Sequence, residues 1–192
     1  MSETRQSTVR QRLLAIIVAG VGSFLAAAAS FGMSVYEAAN PPPLPVRQAG
    51  DRLDTGRWTV TLHSARIATT PPTGVPPSKP TTYLMLELDA LNMSATPSYL
   101  STNLLSVGPD MPDRPDVYLA RDDALGGPLN PGMEERLIVV WELPADRPPP
   151  ASLRVLVGSQ IYKVRDNLYG ASGWFDREPV AAVELAVAGG NA

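Results

Sequence analysis

A strict alternation of apolar and polar residues runs through most of the chain after residue 57. Trp58, Val60 and Leu62 occupy every second position of "RWTVTLHSARI", and alternate residues of a strand point to the same face of a sheet. The same alternation recurs in four later segments, Leu84–Ala90, Leu137–Leu143, Leu153–Val157 and Val183–Val187. The chain beyond residue 50 is therefore predicted to consist of β-strands with one apolar face each.

Strands with one apolar face have to bury that face against another sheet. Two antiparallel sheets packed about 10 Å apart achieve this. Segments rich in Pro and Gly separate the apolar runs, as turns require. We therefore predict an all-β, antiparallel β-sandwich of about seven strands over residues 51–192, with Trp58 and Trp141 filling its core. A small closed barrel satisfies the alternation equally well.

The first forty residues predict a different element. Residues 13–36 carry no charge over 24 positions; as a helix they would rise roughly 36 Å, enough for a hydrocarbon core of about 30 Å. Arg5, Arg10 and Arg12 precede this stretch, and positive charge is retained on the cytoplasmic side. We predict a cytoplasmic N-terminus (1–12) and a single-pass transmembrane signal-anchor helix (13–36) in the bacterial inner membrane, with the C-terminal domain in the periplasm or outside the cell.

A cleaved signal peptide is the alternative to an anchor, because Ala27 and Ala29 would suit a cleavage site. The uncharged run exceeds the usual apolar region of about 7–15 residues in a signal peptide, which favours the anchor. A proline-rich segment over residues 37–50 follows. Proline fixes φ and lacks an N–H donor, so this segment is predicted to be an extended, semi-rigid linker.

Small residues recur on one side of the predicted helix. Gly22, Ala26, Ser30 and Ser34 are spaced four positions apart, a stripe that allows a second helix to approach closely. We predict a helix contact at this stripe, within the lipid bilayer, with an integral-membrane protein or with a second copy of the chain.

Composition excludes several classes of function. The net charge of −3 argues against a nucleic-acid-binding protein, and the absence of Cys removes disulfides and thiolate chemistry. The single imidazole, His63, lies in mid-strand on the polar face, with no nucleophile motif elsewhere. A catalytic triad or a zinc site is therefore disfavoured, and we predict a non-enzymatic protein without a cofactor.

Five aspartates lie between residues 110 and 123, at Asp110, Asp113, Asp116, Asp122 and Asp123. Carboxylates are ligands that Ca²⁺ accepts, but their spacing is not that of an EF-hand, and two arginines offset their charge. A solvated, proline-stiffened loop is the favoured interpretation. A hydrolase that pairs two of these carboxylates is the less favoured alternative.

Three segments follow one another in an order found in a known family. "TGRWTVTLHSARI" precedes "YLMLELDALNMSATP", and "LNPGMEERLIVVWELP" comes next. This order, with Asn92, Pro131, Gly132 and Pro144, resembles the bacterial immunoglobulin-like domain family of unknown function typified by a secreted mycobacterial immunoprotective antigen, over residues 50–157. The resemblance implies an immunoglobulin-like sandwich outside the cell, with no agreed enzymatic activity. It also suggests that Asn92 closes its strand by bonding the local backbone.

Three aromatic residues lie among glycines in "NLYGASGWFDREP", at Tyr169, Trp174 and Phe175. Aromatic side chains on a connection are candidates for contact with a protein or lipid, or they fold back over an open end of the sandwich. We predict an interaction module, an accessory or scaffold subunit of an envelope membrane-protein complex. The alternative is a secreted or tethered β-sandwich that binds a small ligand.

Overall fold

The computed structural model describes residues 23, 27–36, 39–40, 43–108, 111, 114–143, 148–168 and 170–189. The chain divides into two compact units, residues 1–43 and 44–192. A helix, α1, covers residues 27–36 in the first unit. The regular elements described in the second unit are strands and one short 3₁₀ turn, Thr102–Leu104.

The described residues correct the predicted membrane topology. Nowhere in the described part of the chain is a helix both long enough and apolar enough to cross a bilayer. The prediction of a single-pass signal anchor over residues 13–36, and of the inner-membrane location built on it, is wrong on this finding.

The predicted stripe of small residues is described only in part. Gly22 and Ala26 lie outside the described residues. Ser30 and Ser34 lie on α1 and are exposed, and the Ser34 hydroxyl donates a hydrogen bond to the Ser30 carbonyl oxygen at 3.0 Å. A contact between this stripe and a second helix stays a prediction.

Nine strands make up the described part of the second unit. Six of them are longer than three residues, and three are short pieces at the margins. In chain order they are β1 (Val46–Arg47), β2 (Arg52–Asp54), β3 (Trp58–Ala68), β4 (Thr82–Asn92), β5 (Leu105–Ser106), β6 (Asp116–Leu119), β7 (Glu134–Leu143), β8 (Ser152–Lys163) and β9 (Gly173–Ala188).

The strands form two sheet layers that share one connection. Their order is β5-β8-β9-β3-β4-β7-β6, with β1 beside β9 and β2 beside β3. The end of β9 pairs in parallel with β3, Val187 opposite Ala65, and thereby joins the two layers. Strands β5 and β6 stand at opposite ends of this order, so the described strands form an open β-sandwich rather than a closed barrel.

The core lies between the two layers and confirms the predicted alternation in β3 and β8; β7 departs from it, because its residues 137–141 are all buried. Trp58, Val60 and Val155 are each 0% exposed, and Trp141 is 2% exposed; all four belong to one apolar cluster. Each buried tryptophan removes about 150–250 Å² of surface from water. The large tryptophan side chains therefore provide much of the bulk of the core.

Part of the predicted proline-rich linker belongs to the sandwich. Val46 and Arg47 form β1 and pair with Ala182 and Val183 of β9, and the Pro45 carbonyl accepts a hydrogen bond from the Ala182 N–H at 2.9 Å. Proline lacks an N–H and is confined to sheet edges. The proline-rich segment therefore leads directly into an edge strand, which begins at Val46 after Pro45.

Asn92 ends β4 as predicted, by bonding the local backbone. Its Nδ2 donates to the carbonyl oxygens of Thr96 at 2.9 Å and Leu129 at 2.8 Å. Its Oδ1 accepts from the N–H of Ser94 at 2.9 Å and from the Ser94 hydroxyl at 2.7 Å. The fully buried amide thus ties the loop after β4 to the loop before β7.

Candidate functional site

The far half of the β8–β9 hairpin is the candidate site. Beyond an irregularity between Val157 and Ser159, residues 159–163 of β8 pair with residues 173–177 of β9. In the described chain β5 pairs β8 only up to Val157, and β1 meets β9 only at 182–183. We call residues 159–177 the hairpin arm, and its turn, residues 164–172, the arm tip.

The predicted contact residues Trp174 and Phe175 lie in a strand rather than in a loop. They belong to β9, opposite Tyr162 and Ile161 respectively. Consecutive strand residues point to opposite faces, so the structure places these two aromatics on different faces of the arm. Tyr169 lies outside the described residues. The predicted aromatic group is therefore divided between two surfaces.

The Trp174 face is packed against the β2–β3 turn. The ring of Trp174 meets the ring of Tyr162 edge to face, with centroids 5.5 Å apart, and the Arg57 guanidinium lies 5.7 Å from the Trp174 centroid. The backbone N–H of Gln160 donates to the Thr55 carbonyl at 2.7 Å. This face attaches the arm to the turn, in line with a role in covering an end of the sandwich.

The Phe175 face carries a cation and an aliphatic side chain. The Lys163 ammonium lies 4.5 Å from the Phe175 ring centroid and donates to the Asp166 carboxylate at 2.8 Å. Ile161, opposite Phe175, is 44% exposed. A cation placed over an aromatic ring is held by the quadrupole of the ring, so this face is ordered although partly open to water.

The arm tip is organised by Asp166. This aspartate is buried, and its Oδ1 accepts a hydrogen bond from the Leu168 N–H at 2.9 Å. Its backbone N–H donates to the Ala171 carbonyl at 2.9 Å, and its carbonyl accepts from the Gly170 N–H at 2.8 Å. Gly170 has a φ of +67°, which glycine adopts without strain. The tip is therefore a pre-formed turn.

The pre-formed turn presents aliphatic side chains to water. Val164 is 82% exposed and Leu168 is 81% exposed. The prediction from sequence named the aromatic residues of this segment as contact residues and missed Val164 and Leu168. The clue was available in "KVRDNLYG", where two apolar residues interrupt a polar stretch that lies between two strands.

A polar network occupies the outer face of the β3–β4–β7 layer. Arg136 donates from Nε to Asp89 Oδ1 at 2.8 Å and from Nη1 to Glu87 Oε1 at 3.3 Å, and His63 Nε2 lies 2.7 Å from Asp89 Oδ2. The bond from Arg136 is the main cause that lowers the pKa of Asp89; burial opposes it, and His63 adds to it. These hydrogen bonds and ion pairs link β3, β4 and β7 across the outer face of the layer.

The predicted aspartate loop is described only in part. Asp110 and Asp113 lie outside the described residues, Asp116 begins β6, and Asp122 and Asp123 lie in the turn after β6. Arg121, next to them, donates to Glu135 at 2.7 Å. Among the described residues there is no cluster of three or more His, Cys, Asp or Glu side chains suited to a metal ion.

An open groove of about 820 Å³ lies beside β6 and β7. Val140 and Tyr118, both nearly buried, belong to its lining, together with Tyr83. Charged residues of both signs also line it, Lys79, Arg114, Asp116 and Glu142. Polar and charged side chains thus share the lining of the groove with the aromatic ones.

Comparison with known proteins assigns no family. No protein-family model matches the chain, and no curated protein matches it. Among solved structures, an uncharacterized β-sandwich protein from Clostridium difficile 630 aligns with a TM-score of 0.40 and 10% sequence identity, over 72% of this chain and 99% of that one. A likeness at this level carries no argument about this chain. The resemblance to the mycobacterial antigen family stays a prediction.

Proposed function

We propose that this protein is a non-enzymatic interaction module that docks onto a partner through its hairpin arm. The observation that carries the proposal is the arm tip, where Leu168 and Val164 are more than four-fifths exposed on a turn that Asp166 holds in place. A module of this kind serves as an accessory or scaffold subunit of a larger assembly.

Energetics support the tip as a contact surface. Burying one Leu or Val side chain contributes about 1.5–3 kcal/mol, and a binding surface that is already ordered avoids much of the entropy cost of association. The hydrogen bonds inside the tip supply that order. Exposed aliphatic side chains on a hydrogen-bonded turn therefore stabilise a complex more than the same residues would on a segment without such bonds.

The Trp174 face and the polar network have structural roles under this proposal. The Trp174 ring meets the Tyr162 ring edge to face and lies beside the Arg57 guanidinium, so it is already engaged within the chain. The carboxylate of Asp89 is likewise engaged by Arg136 and His63. Neither group is required to act on a substrate.

Photo-crosslinking in the source cells tests the proposal. A photoreactive phenylalanine analogue replaces Leu168 in the full-length chain, and a matched control carries it at Val75, an exposed aliphatic residue (65% exposed) on the β3–β4 connection. We expect a discrete protein adduct from position 168 and none from position 75. Equal labelling from the two positions, or no discrete adduct from position 168, would refute the proposed docking surface.

A further inference from the structure

Among the described residues of the arm tip, Arg165 is the charged side chain that is exposed. The ammonium of Lys163 is engaged by the Asp166 carboxylate at 2.8 Å and lies over the Phe175 ring. Arg165 is exposed, and within the part of the chain that the structure describes its guanidinium has no ion-pair partner. It stands between the two most exposed aliphatic residues of the tip, Val164 and Leu168, along the chain.

We infer that the partner is a protein that presents an apolar pocket with a carboxylate at its rim. This inference rests on the proposed function and names the chemistry of the partner at the same site. Leu168 and Val164 enter the pocket, and Arg165 pairs with the carboxylate. The guanidinium binds carboxylates through two parallel hydrogen bonds, and a cation covered by an interface without a partner would be strongly unfavourable.

The tip cannot supply that carboxylate itself. Asp166 is buried and already accepts hydrogen bonds from Lys163 and from the Leu168 N–H. Moving Asp166 toward Arg165 would break the turn that presents Leu168. The acidic group therefore has to come from the partner, which gives the interface a defined charge complementarity.

The same arm disfavours docking by strand addition. In the described chain β9 pairs only with β8 over residues 173–177, which leaves one edge open. Asp176, Arg177, Glu178 and Pro179 lie along or next to that edge. Charged residues and proline on an edge protect it against pairing with another strand, so recognition by side chains at the tip is the mode that the arm allows.

A carbodiimide crosslink tests the predicted carboxylate. In an Arg165→Lys variant of the full-length chain, the new amine can form an amide with a carboxylate at ion-pair distance, which the native guanidinium does not form. The chain has two lysines, Lys79 and Lys163, so the wild type gives a simple baseline of side-chain amines. A Val75→Lys variant places an exposed amine on another loop as the control.

In native extracts of the source cells we expect an intermolecular amide from position 165 to an Asp or Glu of another protein, located by peptide mass spectrometry. The yield should fall about tenfold when Leu168→Ser is added, because the pocket contact is then lost, and Val75→Lys should give no such link. The photo-crosslinked adduct from position 168 should likewise persist in Arg165→Lys and fall about tenfold in Arg165→Glu.

The failures of the two proposals are distinguishable. If position 168 captures a discrete protein but position 165 forms no intermolecular amide, the acidic pocket is wrong and the docking surface stands. If position 168 captures no protein, both fall. A linked peptide from this chain itself would overturn the inference in favour of self-association, and an adduct to lipid or nucleic acid would overturn it in favour of that partner.

Discussion

Asn92 shows how one buried amide can fix two loops. Its side chain makes four hydrogen bonds, to Thr96, Leu129 and, twice, to Ser94, and it is 0% exposed. A buried polar group left without its partner costs about 1–3 kcal/mol. Replacement by Ala leaves several such groups unpaired at once, so the loop after β4 depends on this residue.

We expect Asn92→Ala to lower the free energy of unfolding by about 3 kcal/mol, measured by urea denaturation. Asn130→Ala is the matched control, because Asn130 is exposed in the neighbouring loop; its effect should stay within about 0.5 kcal/mol. Equal effects from the two variants would show that the Asn92 network does not stabilise the fold.

Asp89 makes stability depend on pH in a predictable direction. Its pKa lies below the ordinary value of 3.8, mainly because of the hydrogen bond from Arg136. A carboxyl group whose pKa is lower in the folded state stabilises the fold at pH values above its unfolded pKa, and this contribution is lost as the pH falls through the folded pKa. Acid should therefore remove the contribution of Asp89.

We expect the stability difference between wild type and Asp89→Asn to shrink as the pH falls from about 5 to below 3.8, measured by urea denaturation across that range. In an Arg136→Gln background the same difference should be smaller at every pH, since the main cause of the shift is gone. A stability difference that grows in acid would contradict a lowered pKa for Asp89 in the folded state.

At the scale of elements, the contact between the β2–β3 turn and β8 holds the hairpin arm. Gly56 has a φ of +86°, and a Cβ at this position would come within 2.1 Å of the Gln160 carbonyl oxygen. Gly74 has a similar φ of +71° but nothing within 4 Å of a built Cβ. Comparing Ala variants at these two glycines therefore separates the free-energy cost of the positive φ from the cost of the steric clash with Gln160.

We expect Gly74→Ala to cost about 1 kcal/mol, the conformational term alone, and Gly56→Ala to cost at least about 2 kcal/mol more, since the turn has to leave β8. Thermal denaturation gives both values, and the tryptophan emission of Gly56→Ala should shift because Arg57 leaves the Trp174 ring. Similar costs for both variants would show that the turn does not press on β8.

The long strands were predictable from local pattern, and the arm was not. Leu84, Leu86 and Leu88 alternate in the sequence and are all 0% exposed, because one buried face is enough to specify such a strand. Trp174 and Phe175 follow a stretch rich in glycine, which indicates a loop. These two residues form a strand because β8 continues past its irregularity and pairs with them. The sequence around Trp174 contains no signal for this pairing.

The side-chain clusters escaped prediction for a related reason. His63 and Asp89 lie 26 positions apart and Asp89 and Arg136 lie 47 apart, and only the pairing of β3, β4 and β7 brings them together. The turn at the arm tip depends on the hydrogen bonds of Asp166. Nothing in the local sequence distinguishes Asp166 from other aspartates in loops. The membrane-helix prediction relied on the length of an uncharged run and on the arginines before it, whereas no helix among the described residues is long and apolar enough to cross a bilayer.

At the scale of the whole molecule, the sandwich and the arm tip have separable roles. The sandwich core holds Trp58, Trp141 and the inward residues of both layers, whereas Val164 and Leu168 contribute almost nothing to it because they are exposed. Replacing both by Ser should therefore change the free energy of unfolding by no more than about 0.5 kcal/mol per residue. The same change removes the surface on which the proposed function depends.

The most direct test is the amount of partner protein that the tagged full-length chain retains when it is isolated from its own cells. Loss of the two aliphatic contacts should reduce retention by about tenfold or more in Val164→Ser/Leu168→Ser and leave it unchanged in Val75→Ser. Undiminished retention by the double variant, with its fold intact, would contradict the hairpin arm as the docking surface.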